Sequence, residues 1–371
     1  AGQSGQVPAV HYQHRLIPYQ VVAVISPWNV PLLLAMIDSL AALSAGCSVL
    51  LKPSEVTPRF IEPLQRALDA VPELAAVLRI VTGGPETGKA MIEQVDAVCF
   101  TGSVKTGRQV SQQAAACFIP AFLELGGKDP AIVLPDADIP LAARAIIRSA
   151  IGMTGQACQS LERIYCHESV AERFTEELLA QLKVLSLTCT DDGAGDIAPL
   201  IFERQVETIQ AQVDDALAKG ATCLLGGEPV KAGGIWYPPT LLTNVNHDML
   251  IMQEETFGPV IPVVIYGDVE EAVSLANDST FGLSAAVFSA DADAAKAVAE
   301  RLQVGAISIN DASLTGIVND VEKNSFGFSG MGGSRMGPAG LTRFLRKRAL
   351  LIQTGEPAPV QLFSDTPQTV P

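Results

Sequence analysis

One cysteine in this chain sits in a stretch suited to exposing it. Gly152-Met153-Thr154-Gly155-Gln156-Ala157-Cys158-Gln159-Ser160 sets a thiol among small and polar residues, ahead of the apolar strand-like run Ile164-Tyr165-Cys166. A cysteine attacks only as the thiolate, which needs a small-residue turn open to substrate and backbone N–H groups or a helix N-terminus that favour negative charge. Gly155 and Gln156 supply such a turn. Read alone, the stretch equally fits a small buried hydrophobe, the commoner state of a free cysteine. A carboxylate offers complementary chemistry: Leu123-Glu124-Leu125-Gly126-Gly127-Lys128 places Glu124 in an apolar setting, where desolvation suits a general base unless a salt bridge claims it.

Groups so far apart in sequence must be delivered by a frame, and the chain has the pattern of one. From Tyr19 onwards short apolar runs alternate with helical ones: strands at 21–25, 48–52, 78–81, 96–100 and 119–123, with helices at 31–43, 60–68 and 104–115 between them. After residue 140 the alternation continues with longer helices at 142–153, 170–185 and 202–219, strands at 221–225, 260–266, 283–288 and 304–309, and helices near 269–277 and 292–301. Fully apolar strands separated by helices predict parallel sheets covered on both faces. Ligands in such sheets bind beyond the strand ends. Four polar stretches lie there: Ser26-Pro27-Trp28-Asn29, Lys52-Pro53-Ser54-Glu55, Gly83-Gly84-Pro85-Glu86-Thr87-Gly88, and Phe100-Thr101-Gly102-Ser103-Val104-Lys105-Thr106-Gly107. Lys52 suits a phosphate or ribose, Glu55 suits ribose hydroxyls, and a carboxylate at that position repels a 2′-phosphate, favouring NAD over NADP. Either glycine loop, opening a helix, offers N–H groups to a pyrophosphate, although neither has the G-x-G-x-x-G spacing.

Composition narrows the function classes. Lys+Arg 25 against Asp+Glu 40 leaves a net charge of −15, which repels phosphate backbones and anionic lipid and argues against nucleic-acid or membrane-surface binding. The seven cysteines are scattered without C-x-x-C spacing, as expected in a reducing, cytoplasmic setting without disulfides, and no cluster of His and Cys suggests a metal. The apolar run Val30–Leu51 contains Asp38 and divides at Ala45-Gly46, so it reads as a helix and a strand buried in protein rather than a membrane span. No secretory signal is seen at the start of the chain.

Taken together and in order, these words resemble the aldehyde dehydrogenase superfamily. The resemblance is carried by Pro27-Trp28-Asn29, Lys52-Pro53-Ser54-Glu55, Phe100-Thr101-Gly102-Ser103 with Gly107, Glu124-Leu125-Gly126-Gly127-Lys128, Gly155-Gln156-Ala157-Cys158 and Glu254-Glu255-Thr256-Phe257-Gly258-Pro259, and it runs from about Ile17 to the C-terminus. It implies an α/β fold with a Rossmann-like cofactor domain, an α/β catalytic domain and oligomerisation strands. The corresponding boundaries are 1–18 for an arm, 19–125 for dinucleotide binding, 126–315 for catalysis, and 316–371 for a C-terminal active-site loop and strand. It further implies that an aldehyde is oxidised to a carboxylic acid with NAD, NADP being possible, through a thioester on Cys158. Glu124 is then the general base, and the Asn29 amide with the Cys158 backbone N–H forms the oxyanion hole. Ser26, Trp28, Lys52, Ser54, Glu55, Gly84, Gly88, Phe100, Ser103 and Leu125 are implied to touch the cofactor, with Glu255 and Phe257 near its nicotinamide ribose. Partners are a small-molecule aldehyde and further copies of the chain in a homodimer or homotetramer, through arms at 5–18 and 343–355.

Two departures carry expectations of their own. The chain starts at Ala1 and lacks nearly all of the family's helical N-terminal region, so one wall of the cofactor domain is expected to be bare and NAD binding or assembly altered. The C-terminal loop reads Ser325-Phe326-Gly327-Phe328-Ser329-Gly330-Met331-Gly332-Gly333-Ser334-Arg335 in place of the family's usual word, with Phe326 expected beside the aldehyde. Two other functions remain: an acylating enzyme that passes the thioester to coenzyme A, against which Glu124 argues, and a truncated, non-catalytic member acting as a subunit or binding partner.

Overall fold

The computed structural model describes residues 3–4, 9–188 and 194–357; part of the expected N-terminal arm, Cys189 and the last residues of the expected C-terminal segment lie outside these. The first of two large sheets has six strands in the order Gly330–Met331, Ala121–Glu124, Ala97–Thr101, Val21–Ile25, Ser48–Lys52 and Leu78–Ile80. All pair in parallel except Gly330–Met331, which runs antiparallel along the edge. Numbered along the chain, the five parallel strands lie in the order 3-2-1-4-5, so the chain reverses direction between Val21–Ile25 and Ala97–Thr101. A crevice opens beyond the strand ends at such a reversal, because the helices leaving the two strands turn to opposite faces. Here Pro31–Ala45 packs Ala35 and Ala42 against Val22, Val24 and Val49 on one face. On the other, Val104–Ala116 packs Val110 and Ala114 beside Ala23, Val98 and Leu123.

Seven strands form the second sheet, in the order Thr222–Leu225, Thr240–Thr243, Val260–Tyr266, Leu161–His167, Asp129–Val133, Ser284–Phe288 and Ala306–Ile309, antiparallel only at the Thr222–Leu225 edge. Ile139–Ile151 and Glu168–Lys183 bury Ile146, Phe174 and Leu178 on one face. Gln205–Ala218, Val269–Asn277 and Ala292–Ala299 cover the other with Ile209, Val213, Ala272 and Ala295. Covered parallel sheets are therefore as expected. The strands Asp129–Val133 and Thr240–Thr243 escaped the sequence pattern: each is short and adjoins a proline or glycine word that reads as a turn.

Val10–Pro18 pairs antiparallel with Leu345–Gln353 over its full length, and Gln3–Ser4 adds a third strand. The two segments expected to reach other subunits thus pair with each other, while Leu351 and Ile352 remain exposed. On the Pro31–Ala45 helix, Leu32, Leu33 and Leu40 are also exposed. Among the described residues no helix is long and apolar enough to cross a membrane, and Val30–Leu51 divides into a helix and a strand at Gly46, whose φ of 95° is the left-handed cap that ends the helix.

Candidate active site

The turn that carries Cys158 is held in an uncommon backbone conformation. Met153, Thr154 and Gly155 all have positive φ, at 54°, 58° and 68°. A β-branched residue in this region persists only where its surroundings dictate it. Thr154 Oγ1 donates to the Ala198 carbonyl at 2.9 Å, the Gln156 side-chain oxygen accepts from Ile201 N–H at 2.9 Å, and its amide nitrogen donates to the Met153 carbonyl at 3.1 Å. At Gly155 a Cβ would meet the Gly258 backbone at 2.3 Å, and at Gly127 the Cys158 carbonyl at 2.3 Å. The glycines flanking the thiol are therefore required by close approach, not by flexibility alone.

A cavity of about 400 Å³ is lined by Cys158, Glu124 and Asn29, together with Trp28, Ser103, Leu125, Glu255 and Phe257. Asn29, from the loop after the first strand, is buried and donates one amide hydrogen to the Gln156 carbonyl at 2.9 Å, which aims it at the cysteine turn. Its second hydrogen is left for another acceptor. Phe257 packs edge-on against Trp28 with ring centroids 5.3 Å apart, and Phe202 adds a further ring 5.9 Å from Trp28. The Phe202 and Gln205 side of this cavity carried no recognisable signal in the sequence.

Electrostatics differ from the expectation at both reactive groups. Cys158 is half-buried and does not begin a helix; burial pushes its thiol up to about 12, with Glu255, Asp129 and Glu124 adding to the shift and Arg335 opposing it. The thiol rests protonated, so a base must remove its proton as attack proceeds. The setting of Glu124 is polar rather than apolar: Ser325 Oγ donates to it at 3.4 Å and the Arg335 guanidinium lies 3.8 Å away. Sequence pattern could not reveal this, because both partners come from the C-terminal loop. Glu255 is folded onto the Gly126-Gly127 turn, accepting Gly127 N–H at 3.1 Å, and burial, reinforced by the charge of Glu162, raises its carboxyl to about 8.

A second cleft of about 690 Å³ adjoins the first, sharing Pro27, Trp28, Thr101, Gly102 and Ser103, and lies at the reversal point of the first sheet. Ser26, Trp28, Lys52, Ser54, Glu55, Gly88, Phe100 and Ser103 line it. Gly84 does not: it caps the Pro85–Ile92 helix, where the Glu86 carboxylate accepts its N–H at 3.2 Å and so answers the positive helix end internally. The Val104–Ala116 helix, capped by neutral Ser103 and without an acid in its first turn, leaves its positive end to an anion. Lys52 Nζ is buried and lies 3.3 Å from the Glu55 carboxylate beyond the second strand. Ser26 Oγ is buried in the lining with no hydrogen-bond partner. An orphaned hydroxyl, an anion-ready helix end and a ribose-type carboxylate fit a dinucleotide. Phe326, expected beside the aldehyde, is 44% exposed on a short strand opposite Gly282 and is absent from the lining of the Cys158 cavity.

The chain matches the model of the aldehyde dehydrogenase family over residues 3–350. It is 40% identical over 324 residues to the 4,4'-diapolycopene aldehyde oxidase of Methylomonas sp, covering 86% of this chain and 59% of that protein, so it spans less than two thirds of that relative's length. Among solved structures, the Putative Aldehyde Dehydrogenase PutA from Anabaena variabilis superposes with a TM-score of 0.95 at 53% identity, over 98% of this chain and 78% of that one. Betaine aldehyde dehydrogenase from Staphylococcus aureus in complex with NAD+ superposes with a TM-score of 0.88 at 32% identity, over 98% and 73%.

Proposed function

We propose, on the premise that this chain belongs to the aldehyde dehydrogenase family, that it oxidises an aldehyde to a carboxylic acid with NAD through a thioester on Cys158. The observation that carries this reading is the shared lining: a thiol and an amide from two loops and a carboxylate at a strand end all line one cavity that continues into the cleft at the sheet reversal. Cys158 Sγ adds to the aldehyde carbon as its proton passes to solvent water, which acts as the base for this step. The alkoxide that develops is met by the free Asn29 N–H and the Cys158 backbone N–H, and one such donor contributes on the order of 10²–10³ in rate. A bound nicotinamide dinucleotide supplies the acceptor for the hydride that leaves the tetrahedral carbon. Glu124 then takes a proton from the water that cleaves the thioester. Trp28, Phe202 and Phe257 give the cavity an aromatic lining.

Lys52, Glu55, Ser26 and the Ser103 helix end are the groups that would hold the dinucleotide, with Glu55 accepting from the adenosine ribose. Replacing Glu55 by glutamine removes a charge that repels a 2′-phosphate. The ratio of kcat/KM for NADP to that for NAD is expected to rise by about tenfold or more. An unchanged ratio would remove Glu55 from the ribose site. The exposed Leu345–Gln353 strand, with Leu351 and Ile352 outward, supports assembly into a homodimer or homotetramer by strand pairing.

An aldehyde panel with NAD and NADP, with and without coenzyme A, tests the reading through absorbance of the reduced cofactor. Acid formation without coenzyme A is expected; strict dependence on coenzyme A would replace hydrolysis with acyl transfer, and no turnover with any aldehyde would leave the chain a non-catalytic member.

A further inference from the structure

The C-terminal loop brings to Glu124 a cation that the mechanism above leaves unused. Gly330–Met331 pairs with Ala121–Glu124, placing Gly330 opposite Glu124, and Leu125 N–H donates to the Ser329 carbonyl at 2.8 Å. The loop is thus fastened to the strand that ends in the carboxylate. Arg335, a few residues on, has a side chain only 9% exposed. Its Nη2 donates to Asp38 Oδ2 at 2.8 Å and to Thr101 Oγ1 at 2.6 Å. Its Nε is buried with no hydrogen-bond partner and lies 3.8 Å from Glu124 Oε1, within a small side-chain movement of a hydrogen bond.

Charge balance gives this geometry a direction. Asp38, 2% exposed, is engaged by Arg343 as well as by Arg335, so two permanently charged guanidiniums face one buried carboxylate. Glu124 is the second carboxylate within reach of Arg335. Lys323 stands on the same side of the site, its amine donating to the Thr315 carbonyl at 2.8 Å, while Asp129 and Glu255 are the acids around Cys158. Arg335 is missing from the lining of either cavity, so it touches neither substrate nor cofactor and bears on the site through Glu124 and, by charge alone, on the Cys158 thiol.

We propose that Arg335 is a positioning residue for Glu124: the guanidinium, anchored from behind by Asp38 and Thr101, holds the carboxylate turned for the water-activation step. The inference rests on the assignment of Glu124 as base. In that step a water oxygen bonds to the acyl carbon, one water proton passes to Glu124, and the carbon–sulfur bond breaks to release the acid and return Cys158 as thiolate.

An activated ester, p-nitrophenyl acetate, separates acylation from hydrolysis without any dinucleotide. The burst of nitrophenolate reports transfer of the acetyl group to Cys158, and the steady rate reports loss of the acetyl group to water. In the full chain, Arg335→Gln is expected to slow the steady phase by about 10- to 100-fold while the burst rate stays within about threefold, so kcat and KM fall together. Arg335→Lys, which keeps the charge, is expected to recover most of the loss. Thr101→Val, which frees one anchor and preserves volume, is expected to give the same selective loss at about three- to tenfold, and carries the test should the glutamine variant fail to fold. A purely structural role would instead lower burst amplitude and both rates in proportion, which would overturn the proposal. Glu124→Gln distinguishes the two layers: if it leaves the steady rate intact, the base assignment falls and this inference with it. If it slows hydrolysis while Arg335→Gln does not, only the role of Arg335 falls.

Discussion

Cys158→Ala is expected to lower both aldehyde oxidation and ester hydrolysis by on the order of 10⁴-fold or more, the size of loss that follows removal of a covalent nucleophile. Among the described residues no other cysteine lines the cavity. Cys99 and Cys166 are buried in the cores of the two sheets, and burial pushes the thiol of each upward. The same variant tests the resting state of the thiol. Because burial raises Cys158 to about 12, the protonated form dominates at neutral pH. Alkylation by iodoacetamide in the protein alone is therefore expected to be slow at pH 7 and to accelerate by about tenfold per pH unit as the thiolate fraction grows. Peptide mass analysis of the alkylated protein reads this directly. If Cys158→Ala hydrolysed the ester at the parent rate, the thiol would not be the catalyst. A thiol already fully reactive at pH 7 would contradict the burial argument, though not the assignment itself.

Loss of the Lys128 charge is expected to cost more in folding than any other substitution near the site. Lys128 Nζ lies 2.7 Å from Glu162 Oε2, and both side chains are at most 2% exposed. The pair organises the wall of the cavity: Lys128 also donates to Thr256 Oγ1 at 2.8 Å, while the two oxygens of Glu162 accept the N–H groups of Thr256 and Phe257 at 2.7 and 2.8 Å. Burial lowers the Lys128 ammonium, and the charge of Glu162 opposes that shift, so each member compensates the other. Lys128→Met leaves Glu162 without its cation in the interior, a change that typically costs about 3–5 kcal/mol. Denaturant midpoints should show it. The double variant Lys128→Met/Glu162→Gln should recover much of the loss, because it removes the uncompensated charge and not merely the contact. If the single variant stayed within about 1 kcal/mol of the parent, the pair would not hold the Glu255–Phe257 segment in the way its geometry implies.

Local physics made a good part of the molecule legible from residue order. Fully apolar runs such as Val21–Ile25 and Val260–Tyr266 can satisfy their backbone and bury both faces only inside covered parallel sheets, and that is where they lie. The polar words after those strands were likewise tied to the strand ends, which is why Lys52, Glu55, Ser26 and Ser103 meet at one cleft. Gly84 lies outside the lining of that cleft, and nothing in its glycine word reveals that Glu86, two residues on, takes its N–H.

What residue order could not express was the charge environment of the reactive groups. Asp38 was visible as a solitary acid that argued against a membrane span, but nothing in residue order showed which cations reach it. Arg335 and Arg343 arrive from the last part of the chain, and they do so because Gly330–Met331 closes the edge of the first sheet beside Glu124. Thus residue order singled out the thiol, the amide and the carboxylate that line one cavity, together with most of the strands around them. Tertiary structure alone decided that the carboxylate faces a guanidinium and that the thiol rests protonated. Propensity and pattern are set by near neighbours, whereas Coulomb energy and desolvation depend on whatever the fold places within a few ångströms.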